Sequence, residues 1–152
     1  MDFLQQAINL AIRSAKKSGG PFGAVIVKDG KVIGSGHNQV TDNCDPSAHA
    51  EIMAIRDACK NINDFQLNDC TLYSSCEPCP MCMSAIYWAR IPKLVYAATA
   101  ADAARAGFDD QFIVEELAKP YEARTLIVEH QEHDQSTKSF DEWLANSNHK
   151  AY

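Results

Sequence analysis

Two short clusters of potential metal ligands constrain the fold of this chain more than any other feature. The first is His49-Ala50-Glu51, and the second, thirty residues further on, is Pro78-Cys79-Pro80-Met81-Cys82. Together they supply one imidazole, two thiols and one carboxylate. That inventory matches a Zn²⁺ site with an open fourth position for water and a proton-carrying group beside it. The fold must therefore bring both clusters to one point.

The spacing within each cluster indicates where that point lies. Inside a helix His49 and Glu51 would lie on nearly opposite sides, because neighbours on one face are three or four residues apart. They can converge only if a helix begins around His49. Cys79 and Cys82 are three residues apart, and Pro80 suits the first turn of a helix. Two helix N-termini are therefore expected to meet, where helix dipoles and free N–H groups stabilise thiolates and developing anions.

The rest of the chain predicts one α/β domain that spans residues 1–152. Its length suits a single core, and strands alternate with helices, which favours a three-layer α/β/α architecture with a five-stranded mixed sheet. Asp29-Gly30 between β-branched runs indicates a hairpin. The predicted elements are a helix that ends before Gly19, strands at 24–27 and 32–33, helices at 52–58 and 81–90, strands at 70–74 and 94–98, a short helix at 100–106 and a strand at 125–129.

Composition narrows the class of partner. The chain has 14 Lys and Arg residues against 20 Asp and Glu residues, a formal net charge of -6, which disfavours nucleic acid and favours a small substrate. A signal peptide is not apparent, and no stretch approaches the ~20 apolar residues of a membrane span, so we expect a cytoplasmic protein without membrane contact. Three of the six cysteines lie between Cys76 and Cys82, which favours metal or catalytic use over disulfides.

Other metal sites explain less of the pattern. Cys76, Cys79 and Cys82 resemble part of an iron–sulfur motif, but Ile86 stands where the next cysteine is expected. A closed structural zinc site would recruit Cys76 or a second histidine and would have no use for Glu51. A metal-free alternative makes these residues a buried histidine, a capping glutamate and core cysteines. Only a catalytic zinc site uses both clusters, and H-x-E followed by P-C-x-x-C is typical of zinc nucleobase deaminases.

On these residues the chain resembles the cytidine deaminase superfamily, and within it the small bacterial-type guanine deaminases. The resemblance extends over nearly the whole length and also rests on residues 20–30, Asp45-Pro46, residues 85–90, residues 106–110 and Tyr152. It implies a cytidine deaminase-like fold, one Zn²⁺ per subunit, and hydrolysis of guanine to xanthine and ammonia in purine salvage or catabolism.

The resemblance also implies roles for individual residues. Metal ligands are His49, Cys79 and Cys82, and catalytic residues are Glu51, which carries protons, and Asp110, which contacts and protonates the departing amine. Residues expected to contact the purine are Asn38, Ala50, Phe22, Trp88 and Tyr152. The resemblance further implies a homodimer in which a C-terminal segment of about residues 130–152 crosses to the partner, so that Tyr152 closes the neighbouring pocket.

Three alternatives stay open at this point. The first is a deaminase of another amino-heterocycle or nucleoside, such as an aminotriazine or cytosine. The second is a tRNA adenosine deaminase, which should carry basic surface for the anticodon stem. The third is a zinc-stabilised interaction module with an inactive site, which would need metal to fold but would release no ammonia from any base.

Overall fold

The computed structural model describes residues 2–17 and 19–152 of the chain. The chain divides into two units, the first ending at Gln111 and the second comprising Phe112–Tyr152. The elements that lie wholly in the first unit are α1 (Phe3–Lys16), β1 (Gly23–Lys28), β2 (Lys31–His37), α2 (Val40–Asn43), α3 (Ala50–Ile62), β3 (Cys70–Cys76), α4 (Pro80–Trp88), β4 (Lys93–Ala98) and α5 (Ala100–Arg105). Over the described ranges, no helix has the length and hydropathy needed to cross a bilayer.

The four strands form one mixed sheet in the order β2-β1-β3-β4. Strand β1 is antiparallel to both β2 and β3, whereas β3 and β4 are parallel. Asp29 and Gly30 take φ values of 48° and 71° in the turn between β1 and β2, as a type I′ hairpin requires. The central run Ala24–Val27 is buried, which explains why it is apolar without alternation.

Helices cover both faces of this sheet, which confirms the predicted layered α/β architecture. Helix α1 lies so close to β1 that a Cβ atom at Gly23 would be 2.4 Å from the Ala7 carbonyl oxygen. Helix α3 lies on the opposite face, where a Cβ atom at Gly36 would be 2.3 Å from the Ala50 carbonyl oxygen. Glycine in β2 therefore lets the first turn of α3 approach the sheet closely.

The outer edge of β2 is covered by side chains of α3. The Ser35 N–H donates to Asp57 Oδ2 at 2.9 Å, and Asn61 Nδ2 donates to the Ile33 carbonyl oxygen at 2.9 Å. These bonds occupy backbone groups that an added strand would need. No described strand pairs with the outer edge of β4 at the other end of the sheet, so β4 is the edge that can accept another strand.

The predicted fifth strand at 125–129 is wrong for the single chain. This segment forms no strand, and Ile127 within it is 84% exposed. A β-branched sequence favours an extended backbone, but a strand also needs a neighbour to take its N–H and C=O groups, and no described strand does so. The sheet therefore has four strands rather than five.

The second unit is solvent-exposed and contains short helices joined by irregular segments. Helix α6 (Gln111–Ala118) leads into it, and a 3₁₀ turn (Tyr121–Ala123) and helix α7 (Lys138–Ala145) follow. Glu116 fastens the turn region to α6, because its Oε2 accepts hydrogen bonds from both the backbone and the hydroxyl of Thr125. None of the residues in this unit is buried, including the large apolar ones.

Candidate functional site

The N-termini of α3 and α4 meet at the two ligand clusters. His49 is the residue that precedes α3, and Cys79 is the residue that precedes α4; both have extended backbone dihedral angles. Pro80 occupies the first position of α4, where its missing N–H leaves no hydrogen bond unmade. Cys82 follows in the same first turn and is buried. The sequence thus places one imidazole and two sulfurs at a single point.

The distances fit a tetrahedral zinc ion. His49 Nδ1 is 3.5 Å from Cys79 Sγ and 3.5 Å from Cys82 Sγ, and the three ligand atoms all lie within 4.8 Å of one another. Zn–N bonds of about 2.0–2.1 Å and Zn–S bonds of about 2.3 Å, set at tetrahedral angles, separate nitrogen from sulfur by about 3.6 Å. The donor set therefore matches Zn²⁺ both in chemistry and in spacing.

No fourth protein ligand joins this group among the described residues. Cys76, which a closed zinc site or an iron–sulfur cluster would use, instead directs its thiol to the carbonyl oxygen of Thr99 at 3.5 Å. The arrangement is therefore that of a catalytic site, which keeps one position for water or substrate.

The Cys79 and Cys82 thiols shift each other's pKa in opposite directions. The Cys82 thiol donates to Cys79, which lowers the pKa of Cys79 to about 4 against the opposing effect of burial, and the same bond raises the pKa of Cys82. The hydrogen bond with Cys79 raises the pKa of His49. A divalent cation displaces such a proton when both sulfurs bind it as thiolates.

Glu51 lies beside this group as a buried carboxyl. It is the second residue of α3, is 5% exposed, and accepts a hydrogen bond from Ser74 Oγ at 3.4 Å. Burial raises its pKa, because the low-dielectric surroundings disfavour the charged form. A raised pKa makes a carboxyl group a better proton acceptor, and a proton carrier must accept a proton before it can release it.

A cavity of about 230 Å³ opens over these groups. Phe22 and Phe108 contribute aromatic surface to its wall, with ring centroids 5.0 Å apart and an edge-to-face geometry. Asp110 also lines it, and burial raises the pKa of this carboxyl. Glu51, Glu77 and Asp109 are further carboxylates in the lining, and no Lys or Arg contributes to it. The cavity suits a flat, uncharged molecule with N–H groups better than a phosphorylated one.

Asn38 and Ala50 lie near this region but do not line the cavity. Asn38 is buried and firmly held: its N–H donates to the Phe22 carbonyl oxygen, and its Oδ1 accepts the Val40 N–H. Ala50 is the first residue of α3 and is buried against the sheet. Their contacts with a purine stay predictions.

Trp88 is an expected purine contact that the structure does not bring to the ligand cluster. Trp88 is the last residue of α4, at the opposite end of the helix from Cys79, and is 61% exposed. Its ring centroid lies 6.0 Å from Arg90 Cζ. Tyr152 is an exposed residue of the second unit. Neither residue has a demonstrated role in the cavity.

Sequence reasoning missed Glu77. This residue lines the cavity, and its Oε2 accepts the Ala100 N–H at 3.0 Å. A signal was available, because Glu77 directly precedes the Pro78-Cys79 pair, but its hydrogen-bond partner lies 23 residues away and could not be read from local spacing.

Comparison with known proteins agrees with this geometry. Residues 1–98 match the family described as cytidine and deoxycytidylate deaminase zinc-binding region. The chain is 52% identical to the guanine deaminase of Bacillus subtilis over 151 residues, which cover 99% of this chain and 97% of that protein. The crystal structure of a guanine deaminase from Bacillus subtilis superposes with a TM-score of 0.97, covering 100% of this chain and 99% of that one, at 51% identity.

A second group of relatives matches a smaller share of the chain. The tRNA-specific adenosine deaminase of Aquifex aeolicus is 44% identical over 96 residues, which cover 63% of this chain and 64% of that relative.

Proposed function

Because the chain belongs to the cytidine and deoxycytidylate deaminase family, we propose that it hydrolyses guanine to xanthine and ammonia with the help of Zn²⁺. The observation that carries this function is the convergence of His49, Cys79 and Cys82 beside the buried carboxyl of Glu51. The choice of guanine rests on the likeness to the Bacillus subtilis guanine deaminase, which extends over both units. The enzyme is a hydrolase that cleaves a carbon–nitrogen bond and takes part in guanine catabolism.

We assign the metal to three ligands, His49 Nδ1, Cys79 Sγ and Cys82 Sγ. A Zn²⁺ ion held by these three side chains would lower the pKa of a water molecule and so make a nucleophile available near neutral pH. Two thiolates balance the charge of the cation, and the N-termini of α3 and α4 favour those thiolates.

Proton transfer belongs to two carboxyl groups. Glu51 takes a proton from the attacking water and delivers it to the ring nitrogen beside the carbon that bears the exocyclic amine. Asp110 contacts that amine and supplies a proton as the carbon–nitrogen bond breaks. The hydroxyl group added to the carbon then becomes the carbonyl of xanthine, and its proton replaces the one that Asp110 gave up. Guanine and one water are thereby converted to xanthine and one ammonia, and both carboxyl groups return to their starting states.

Shape and charge select the substrate. Phe22 and Phe108 offer aromatic surface for a flat base, and the fixed Oδ1 of Asn38 leaves its amide NH₂ to donate to the purine. Ala50 is a further contact that we expect with the base. The acidic lining disfavours the phosphates of a nucleotide or of tRNA, and the tRNA-specific adenosine deaminase of Aquifex aeolicus matches only 63% of the chain.

We also propose a homodimer in which C-terminal segments are exchanged. β4 has an unpaired outer edge, and the β-prone segment 125–129 is exposed without a strand partner. A second copy of the chain would provide each of them with a partner, and a segment of about 130–152 would carry Tyr152 to the neighbouring cavity. The whole chain 1–152 then functions as one deaminase domain, located in the cytoplasm.

The test of function is a direct assay. Purified protein incubated with guanine should shift the ultraviolet spectrum to that of xanthine and release one ammonia per guanine. A chelator should abolish turnover, and added Zn²⁺ should restore it. Ammonia release from cytosine, an aminotriazine or a nucleoside in preference to guanine would identify that compound class as the substrate. Salt-sensitive deamination of tRNA would support a tRNA adenosine deaminase. Metal-dependent folding without ammonia from any base would indicate an inactive module.

A further inference from the structure

The segment of the cavity wall that carries Asp110 is held together by hydrogen bonds within itself. At its start Thr99 and Asp102 form a reciprocal capping box, with Asp102 N donating to Thr99 Oγ1 and Thr99 N donating to Asp102 Oδ2. At its end the Phe108 N–H bonds the Ala103 carbonyl oxygen and Gly107, at φ 91°, completes the αL termination of the helix. We name residues 99–110 the α5 wall.

This wall has little packing to hold it in place. None of its residues is buried, and of its cavity-lining members only Ala100, Ala103 and Asp110 are even half-buried. One attachment is the edge-to-face contact between Phe108 and Phe22. A body with so few buried contacts depends on its remaining hydrogen bonds for its position.

Those hydrogen bonds lead to the loop that carries the metal ligands. Glu77 Oε2 accepts the Ala100 N–H at 3.0 Å, and the Cys76 thiol lies 3.5 Å from the Thr99 carbonyl oxygen. The Glu77 N–H donates at 2.9 Å to the carbonyl oxygen of Ala98, the last residue of β4 before the wall. The Ala100 N–H lies in the first turn of α5, where a backbone N–H has no acceptor within its own helix. The Glu77 side chain provides that acceptor, and the positive end of the helix dipole stabilises a negative charge there. Glu77 lies two residues before Cys79. It therefore joins the metal loop to the α5 wall.

We propose that Glu77 is a positioning residue that holds the α5 wall, and with it Asp110, over the metal ligands by accepting the Ala100 N–H. The proposal rests on the function proposed above. In this role Glu77 acts as a hydrogen-bond acceptor, so an uncharged acceptor of the same length should replace it. A role for its negative charge predicts the opposite.

The activity test compares two substitutions at this position. Glu77→Ala removes the acceptor, and we expect kcat/KM for guanine to fall about 10- to 100-fold, mainly in kcat, because displaced catalytic groups cost rate. Glu77→Gln keeps an acceptor oxygen and should stay within about threefold of wild type. Asp69→Ala, which removes an exposed carboxylate paired with Lys28, serves as the control and should leave kcat/KM unchanged.

A second measurement does not depend on activity. Arg105 lies on α5 with an exposed side chain, so trypsin cuts after it when α5 opens locally. Cleavage after Arg105 should be about 3- to 10-fold faster in Glu77→Ala than in wild type or Glu77→Gln, as loss of one hydrogen bond allows. Cleavage after Lys93 in β4 serves as the internal reference. Zinc content should stay at one ion per chain in all variants.

Several results would overturn the proposal: wild-type kcat/KM in Glu77→Ala, equal losses in Glu77→Gln and Glu77→Ala, unchanged cleavage after Arg105, or loss of zinc from Glu77→Ala. If the wild-type protein does not deaminate guanine at all, the proposed function fails, and the cleavage rates still decide whether Glu77 holds the wall.

Discussion

Glu51 is buried at 5% exposure beside two sulfurs and an imidazole, an environment in which a carboxyl group is rarely found without a purpose. The hydrogen bond that it accepts from Ser74 Oγ is long at 3.4 Å and does not fully compensate its burial. The resulting rise in pKa suits proton transfer and costs some stability, a combination that is common in active sites.

Glu51→Gln should separate metal binding from turnover. The amide keeps the shape of the side chain but cannot carry a proton, so we expect kcat/KM to fall about 10²- to 10⁴-fold while zinc stays at one ion per chain. The measurements are ammonia release and metal analysis of the same preparation. Glu122→Gln, an exposed substitution in the second unit, is the control. Normal turnover by Glu51→Gln would remove Glu51 from the mechanism.

Cys76 should be the unreactive member of the zinc loop. Burial raises its pKa to about 11, so the thiol stays protonated as the pH rises and thiolate appears only as the pH approaches that value. At pH 8 about one molecule in a thousand carries the thiolate. Iodoacetamide followed by mass spectrometry should therefore modify the exposed Cys44 and spare Cys76 in the folded protein, whereas both react after unfolding. Rapid modification of Cys76 in the native protein would contradict this assignment.

The two ligand clusters made the metal centre predictable, because chemistry and spacing together leave few alternatives for His49, Cys79 and Cys82. Glu77 and Phe108 were not assigned a place in the cavity from the sequence. Their roles depend on α5 lying against the loop that carries Cys79. Contacts between residues so far apart in the chain produce no periodic pattern in the sequence.

At the scale of elements, the active site depends on how closely α3 approaches β2. The first turn of α3 carries Glu51 and follows His49, and it lies against the strand at a distance that only glycine permits at position 36. Any side chain there would press on the Ala50 carbonyl oxygen and on the backbone nitrogen of Ala54. The close packing of α3 on β2 therefore also fixes the position of His49, the metal ligand that precedes α3.

Gly36→Ala should weaken both stability and metal binding. The added methyl group would lie 2.3 Å from the Ala50 carbonyl oxygen, so α3 must shift, and we expect a loss of about 1–3 kcal/mol in the free energy of unfolding. Denaturant titration and competition with a zinc chelator measure the two effects. Ser35→Ala in the same strand is the control, since its side chain faces solvent. Unchanged zinc affinity in Gly36→Ala would show that α3 position and metal binding are independent.

Most elements of the first unit were predictable, because their periodicity is local and strong. Helix α1, the hairpin, α3 and the β3-α4-β4 crossover all form where apolar spacing and turn residues indicate. The strand at 125–129 could not be settled from sequence, because β-propensity reports a conformation and not the presence of a neighbouring strand. Helix α6 was missed, and a segment without buried residues gives little core-facing pattern to read.

The described residues of the whole molecule include many exposed large apolar side chains. Large apolar side chains of both units are accessible, among them Tyr87, Trp88, Leu126, Ile127 and Phe140. A second unit of 41 residues without a buried side chain does not supply a core of its own. Association with a second copy would give that surface an apolar environment, which is the physical basis of the exchanged dimer that we propose.

Ile127→Lys should shift the protein toward monomers. A charge in the middle of segment 125–129 would be buried on dimerisation without a partner, so sedimentation at micromolar concentration should show a smaller mass than wild type, with reduced guanine turnover. Gln135→Lys adds the same charge at another exposed position and should remain dimeric. A wild-type protein that is monomeric and fully active at all concentrations would contradict the exchange.

Because Asp57 and Asn61 occupy the outer edge of β2, the sheet can lengthen in one direction only. A molecule whose sheet can accept a strand at β4 but not at β2 cannot form a ribbon in which sheets pair edge to edge at both of their ends. Concentrated preparations should accordingly remain clear and free of fibrils even though an unpaired strand edge and apolar side chains are accessible.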